Sequence, residues 1–174
     1  MKGSMHISLG TAVGIAGALE LYPVSTGASV AFACSCIIGS AFPDIDIAGS
    51  AISKRTRPAA NLVGMVFGHR QFIHSGVNML LLAWLGQMFL PGRIESWRAV
   101  LGGFLLGFFL HLVQDTCTVG GVPWLFPIRK QFCLMHLRSG SPFCWIITAG
   151  IAALVVCLMR SGQGMELLMR LAAD

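Results

Sequence analysis

The stretch WRAVLGGFLLGFFLHLVQD, residues 97 to 115, decides how this chain folds. Its apolar residues form a predicted helix from about residue 97 to 114, close to the roughly 20 residues that cross a bilayer. The stretch ends in His111 and Asp115, although an unpaired carboxylate beside a membrane-length segment is costly to desolvate. The pattern therefore predicts a membrane helix that carries two polar side chains to a shared polar site at one end.

The composition of the whole chain indicates an integral membrane protein. Of its 174 residues, 55% are hydrophobic and only 11% are charged, and the mean hydropathy is +0.76. A soluble domain carries about 25% charged residues. We therefore predict one integral membrane domain over residues 1–174, an all-α polytopic helix bundle. The net charge of +5 comes from basic residues dispersed in short loops, so membrane lipids are expected as partners and nucleic acid is not.

About five hydrophobic helices are predicted, with prolines at several of their boundaries. They cover approximately residues 7–21, 26–42, 75–90, 97–114 and 143–159. The first is short and is interrupted by Glu20, which makes it the weakest candidate span. Residues 165–173 could add a short surface helix.

The polar residues cluster at the ends of these helices. Three of the four Asp and four of the five His fall in five clusters: His6, Asp44–Ile45–Asp46, His69–Arg70, His74–Ser75 and His111–Leu112–Val113–Gln114–Asp115. An up-and-down bundle places all the helix ends concerned at one membrane face. We therefore predict that these residues share one polar site, where a bound metal cation would best offset the cost of burying charge.

The basic residues give this face an orientation. The segment between the second and third helices contains Lys54, Arg55, Arg57 and Arg70, and the segment after the fourth contains Arg129, Lys130 and Arg138. The positive-inside rule places both segments, and the polar site with them, in the cytoplasm.

Each cluster has a metal-binding interpretation and a simpler one. His111 and Asp115 are four residues apart and share a helix face, which suits either a metal site or an intrahelical hydrogen bond. Asp44 and Asp46 follow Pro43, where an extended turn would allow both to point inward, although Asp in turns also bonds nearby backbone groups. Mixed His and carboxylate ligands suit zinc best, with manganese or iron as alternatives.

Three motifs together resemble a known family. GSAFPDID (residues 39–46), GHRQFIHS (68–75) and HLVQDTCTVG (111–120), followed by Pro127, are similar to the YdjM-like proteins. These are bacterial inner-membrane proteins described as LexA-regulated, metal-dependent hydrolases, which connects them with the SOS response. The ligand pattern is also distantly similar to that of zinc-dependent phospholipases C.

The resemblance implies a set of site residues. The implied metal ligands are His6, Asp44, Asp46, His69, His74, His111 and Asp115. Arg70 would bind a substrate anion or support a ligand. Family members often carry an acidic residue late in the chain, but residues 139–145 (SGSPFCW) contain none. One ligand or general base of the family is therefore expected to be missing here, unless His136 replaces it.

The sequence leads to one principal functional hypothesis and two others. The first is a metal-dependent hydrolase that acts on a phosphoester or lipid-like substrate at the cytoplasmic surface, with Asp44 or Asp46 as the general base and Arg70 as an aid to charge stabilisation. The second is a non-catalytic scaffold or stress-response partner that the metal holds together. The third is an ion transporter, but this would place its acids and histidines at mid-membrane depth and not at helix ends.

Overall fold

A computed structural model describes residues 1–46, 72–128 and 130–161, except for the side chains at 45 and 46. Its described part is all-helical, as predicted, and its only β-type pairings are two isolated bridges, Thr118–Leu137 and Val122–Phe132. The helices are α1 (Gly3–Leu21), α2 (Thr26–Ala41), α3 (Gly76–Phe89), α4 (Trp97–Thr116) and α5 (Pro142–Arg160). The predicted surface helix at 165–173 lies outside the described residues.

Four segments within the described residues are long and apolar enough to cross a membrane. They are α1, Thr26–Asp44, α4 and α5. Glu20 does not interrupt α1, contrary to expectation. It lies in the last turn, where its Oε1 is 3.2 Å from Nε of Arg160 at the end of α5. Helix α3 has 14 residues, so it is shorter than predicted and extends only about 21 Å.

Helix α2 packs closely on both α1 and α4 because glycines line the contacts. A Cβ atom on Gly107 of α4 would overlap the carbonyl oxygen of Cys36 and would lie 2.7 Å from the nitrogen of Ser40. A Cβ on Gly14 of α1 would lie 3.1 Å from the carbonyl oxygen of Ala33. Small residues of this kind allow helix backbones to approach in membrane proteins. This close approach brings the ends of α1, α2 and α4 together.

A 3₁₀ turn, Phe42–Asp46, continues directly from α2. The expectation of an extended turn was therefore wrong. Proline fixes φ near −65°, which is also the φ of a 3₁₀ helix, so Pro43 extends the helical path by one tight turn. Ser75 caps α3, since its Oγ accepts a hydrogen bond of 3.1 Å from the nitrogen of Asn78. The turn and the cap position Asp44 and His74 beside the end of α4.

Candidate metal site

Five of the seven predicted ligands meet at one end of the bundle. His6 comes from the first turns of α1, Asp44 from the 3₁₀ turn, His74 from the residues before α3, and His111 and Asp115 from the last turns of α4. Their ligand atoms form two overlapping groups in which all atoms lie within 4.8 Å of one another, His6–Asp44–His111 and His74–His111–Asp115. His69, Arg70 and the side chain of Asp46 lie outside the described residues, so their roles stay predictions.

The separations between ligand atoms match those around a small metal ion. Nε2 of His6 is 3.3 Å from Oδ1 of Asp115, and Nε2 of His111 is 3.4 Å from Oδ2 of the same residue. Nε2 of His74 is 3.6 Å from Oδ1 of Asp44. Two tetrahedral zinc ligands, each about 2.0–2.2 Å from the ion, are themselves about 3.3–3.6 Å apart. The donor set and its spacing therefore fit a divalent cation.

The protonation of His111 supports the same conclusion. Its Nδ1 lies 2.8 Å from the carbonyl oxygen of Ser40, and because a carbonyl only accepts, Nδ1 must donate. In the neutral ring Nε2 then presents a lone pair to Asp115, and to Asp44 Oδ1 at 3.8 Å. Such an arrangement is repulsive unless a cation or a proton lies between the groups.

Three buried histidine nitrogens have no hydrogen-bond partner among the residues that the structure describes. They are Nε2 of His6, Nδ1 of His74 and Nε2 of His111. Buried polar atoms normally find partners, so an unpartnered set in one place needs an explanation. The rings of His6 and His111 are stacked with their centroids 3.7 Å apart, and both side chains are completely buried. Nε2 of His6 and Nε2 of His111 are thus held rigidly toward Asp115.

A cavity of about 310 Å³ opens onto this cluster. Asp44, His74 and Asp115 form one part of its lining, and the remainder comes from Met1, Thr118, Gly120, Gly121, Pro123, Gln131 and Ser139. The terminal amino group of Met1 contacts Oδ1 of Asp115. Structural zinc sites are closed by four protein ligands, whereas catalytic sites keep a position open to water or substrate. The cavity is what a catalytic site requires.

The loop after α4 supplies residues that the sequence did not single out for the site. Gln131 and Ser139 line the cavity, and Ser139 begins the stretch in which the family's acidic residue is absent. Gln114 had been grouped with His111 and Asp115 without a role, yet its Oε1 lies 2.8 Å from Nδ1 of His6. The sequence signal for this role was a glutamine within an apolar helix, since glutamine is mostly an exposed residue.

The cysteines do not join the site in the described part of the chain. Burial raises the pKa of the Cys117 thiol, which follows the last turn of α4, so this thiol stays protonated and is a poor metal ligand. His136, the proposed substitute for the missing acid, is exposed with a φ of 53°. It is not a member of either ligand group.

Comparisons with known proteins agree with the resemblance seen in the motifs. The chain is 31% identical over 123 residues to the uncharacterized protein YvsG of Bacillus subtilis, covering 70% of this chain and 74% of that protein. It is 33% identical over 103 residues to the inner membrane protein YdjM of Escherichia coli, covering 58% of this chain. The chain thus spans about half the length of that relative, 51%. No solved structure is significantly similar. The family model described as YdjM inner membrane protein matches residues 1–173, and this membrane protein therefore belongs to that family.

Proposed function

We propose that this protein is a membrane-bound, metal-dependent hydrolase that cleaves a phosphoester of a lipid-like substrate at the cytoplasmic surface of the bacterial inner membrane. One observation carries the proposal, namely that a buried His and Asp ligand cluster borders an open polar cavity. Control by LexA and a role in the SOS response stay predictions of the family resemblance.

The metal would be held by ligands drawn from His6, Asp44, His74, His111 and Asp115, which form two overlapping groups of three and so leave a coordination position open. Their nitrogen and carboxylate donors suit zinc, with manganese and iron as alternatives. When bound, such an ion lowers the pKa of its water ligand toward neutrality and offsets negative charge that develops on the phosphoryl oxygens.

The ligands differ in their access to the cavity, which assigns them different tasks. The side chains of His6 and His111 are completely buried, so they hold and orient. Asp44 keeps 13% of its side-chain surface exposed and lines the cavity. Its Oδ1 lies beside His74 and His111 and can bind the metal, so its other carboxylate oxygen can receive the proton of an attacking water, as a general base must. Lys2 packs against Gly140, beside Ser139 of the lining, and brings a positive charge near the place where an anionic head group would enter.

The loop around the cavity supports a lipid-like substrate. Between residues 117 and 141 it exposes several large apolar side chains: Val119, Leu125, Ile128, Leu134 and Met135. Lys130 and Arg138 are interspersed among them and are exposed as well. Apolar side chains mixed with basic ones suit the interface of a bilayer that contains anionic lipids. We place this loop at head-group depth, with the cavity facing the lipid head groups.

The first test is hydrolysis by the metal-loaded, detergent-solubilised chain. Against a panel of phosphodiester and phosphomonoester lipids, the wild type is expected to turn over at least one class. Asp44→Asn should lower kcat by about 10²–10⁴-fold, the usual contribution of a general base. Glu95→Gln, which changes an exposed carboxylate, is the matched control and should keep wild-type activity. Equal turnover in the Asp44 variant would contradict the role of Asp44.

A metal-stabilised scaffold is the second candidate, because the ligand cluster joins α1, the 3₁₀ turn and α4 and much of it is buried. Removal of the metal with a chelator distinguishes the two candidates. A hydrolase should lose turnover while its helical circular dichroism signal and melting temperature remain near their starting values. A scaffold should unfold when the metal is removed and should show no turnover on any lipid of the panel.

The interfacial position of the loop predicts a substrate-dependent effect of Leu134→Ser. Leu134 is 73% exposed, and its nitrogen bonds the carbonyl oxygen of Thr116, the residue after Asp115. Loss of its apolar contact with lipid should lower kcat/KM several-fold on a long-chain lipid in mixed micelles. A short-chain soluble phosphodiester should be hydrolysed as before. Val24→Ser, at the opposite end of the bundle and 96% exposed, is the control. Equal losses on both substrates would contradict the interfacial placement.

A further inference from the structure

A chain of buried hydrogen bonds connects the candidate site to α5, which contributes no ligand to it among the described residues. The participants are His6 on α1, Gln114 on α4 and Thr148 on α5, and all three are buried. Nδ1 of His6 lies 2.8 Å from Oε1 of Gln114, and Nε2 of Gln114 lies 2.9 Å from Oγ1 of Thr148. Polar side chains are rare in apolar spans, and those present usually bond across helices.

The direction of each hydrogen bond in this series follows from the bond that Thr148 makes at its α5 end. Oγ1 of Thr148 donates to the carbonyl oxygen of Cys144 at 2.8 Å, a much shorter contact than the one to the Met1 sulfur at 4.0 Å. This bond commits its single hydrogen. Its lone pairs can then only accept, and they accept from the amide nitrogen of Gln114. The amide group of Gln114 is therefore held with its oxygen toward His6. An acceptor there requires that Nδ1 of His6 donates.

The orientation of the Gln114 amide affects the metal site through the imidazole ring of His6. With its proton on Nδ1, the neutral ring of His6 has its lone pair on Nε2, the nitrogen that lies 3.3 Å from Asp115 Oδ1. If the glutamine amide were reversed, it would present N–H groups to Nδ1 and would favour a proton on Nε2, where a ligand needs its lone pair. For His111 the same task falls to the backbone carbonyl of Ser40, which cannot reverse.

We propose that Gln114 and Thr148 are positioning residues that fix the metal-binding tautomer of His6 from outside the ligand set. This proposal rests on the proposed metal site. It adds that α5 controls metal affinity although its Thr148 touches none of the five ligands in the contacts described. Partners of this kind commonly orient metal-ligating histidines, and their loss costs about 10–100-fold in metal affinity or activity.

The test compares two substitutions at Thr148 in the purified full chain. Thr148→Val keeps the size of the side chain but removes the hydroxyl group, so it frees the amide of Gln114. The dissociation constant for Zn²⁺, measured by competition with a chelator, should rise by about 10–100-fold. Thr148→Ser retains the hydroxyl and should bind Zn²⁺ as the wild type does. The melting temperature of the metal-free protein measures any purely structural effect.

A second measurement does not depend on the folding of a variant. In zinc-loaded wild-type protein with ¹⁵N-labelled histidine, NMR should show the proton of His6 on Nδ1 and the perturbation by metal on Nε2. A proton on Nε2 of His6, or wild-type zinc affinity in a folded Thr148→Val variant, would overturn the positioning role while the metal site remained. Absence of zinc binding by the wild type would instead refute the metal site, and the positioning role with it.

Discussion

Replacing His111 by alanine is expected to remove bound metal from the protein almost completely. His111 belongs to both ligand groups, and its Nε2 lies within 3.8 Å of Asp44 and Asp115. Loss of a supporting partner alone lowers metal affinity by about 10–100-fold, so loss of this ligand should cost more than 100-fold. Elemental analysis by plasma mass spectrometry should find one or more equivalents of zinc, manganese or iron in the wild type and almost none in the variant.

Two further variants make this result specific. Asp44→Ala should lose metal as well, which would show that ligands from separate helical elements act on one site. His136→Asn is the control, since His136 is an exposed histidine with positive φ and asparagine tolerates that backbone conformation. Its metal content should equal that of the wild type. Metal retained in His111→Ala, or no metal in the wild type even after reconstitution, would contradict the metal site.

Gly107→Ala is expected to be among the most damaging additions of a single methyl group to the bundle. The added Cβ would overlap the backbone carbonyl oxygen of Cys36 on α2, and a backbone carbonyl cannot move aside as a flexible side chain can. Overpacking of this kind costs about 1–3 kcal/mol, and this contact belongs at the upper end of that range. The melting temperature in detergent should fall. The affinity for zinc should fall too, because the same Cβ would press on Ser40, whose carbonyl orients His111.

Gly102→Ala is the matched control on the same helix. A Cβ there has its nearest neighbour, Cε2 of Phe32, at 3.9 Å, which is ordinary contact. Alanine in place of a helical glycine is favourable by roughly 0.5–1 kcal/mol, so this variant should be as stable as the wild type or slightly more. If both glycine variants melted alike, close packing of α2 against α4 would not be what holds the bundle together.

The convergence of the candidate ligands was predictable because it depends only on the alternating direction of successive helices in the bundle. Polar residues at the start of one apolar helix and at the end of the next lie at the same face of an up-and-down bundle. His6, Asp44, His74, His111 and Asp115 therefore came together as expected. The five α-helices of the described residues, and the all-α character of that part of the chain, followed from apolar length in the same way. Neither conclusion needed knowledge of any side-chain contact.

Features that depend on local geometry were not predictable. The 3₁₀ turn at Pro43 follows from a φ value that suits both tight helices and turns, and the sequence does not decide between them. Thr148 gave no signal because a threonine in an apolar helix commonly bonds its own backbone, and only the position of Gln114 on another helix gives its hydroxyl a second task. The asymmetry between His6, held by a side chain, and His111, held by a carbonyl, also appears only in three dimensions.

The short α3 has a consequence for the lipid around the protein. At about 21 Å it falls well below the roughly 30 Å thickness of the hydrocarbon core, whereas α4, with 20 residues, comes close to matching it. A bilayer adapts to a short apolar segment by thinning beside it. His74 lies two residues before α3 and lines the cavity, so the indentation would form on the side where the cavity lies. Hydrophobic mismatch would then lower the head groups toward the ligand cluster, and for the proposed lipid hydrolase the membrane itself would bring the scissile bond within reach.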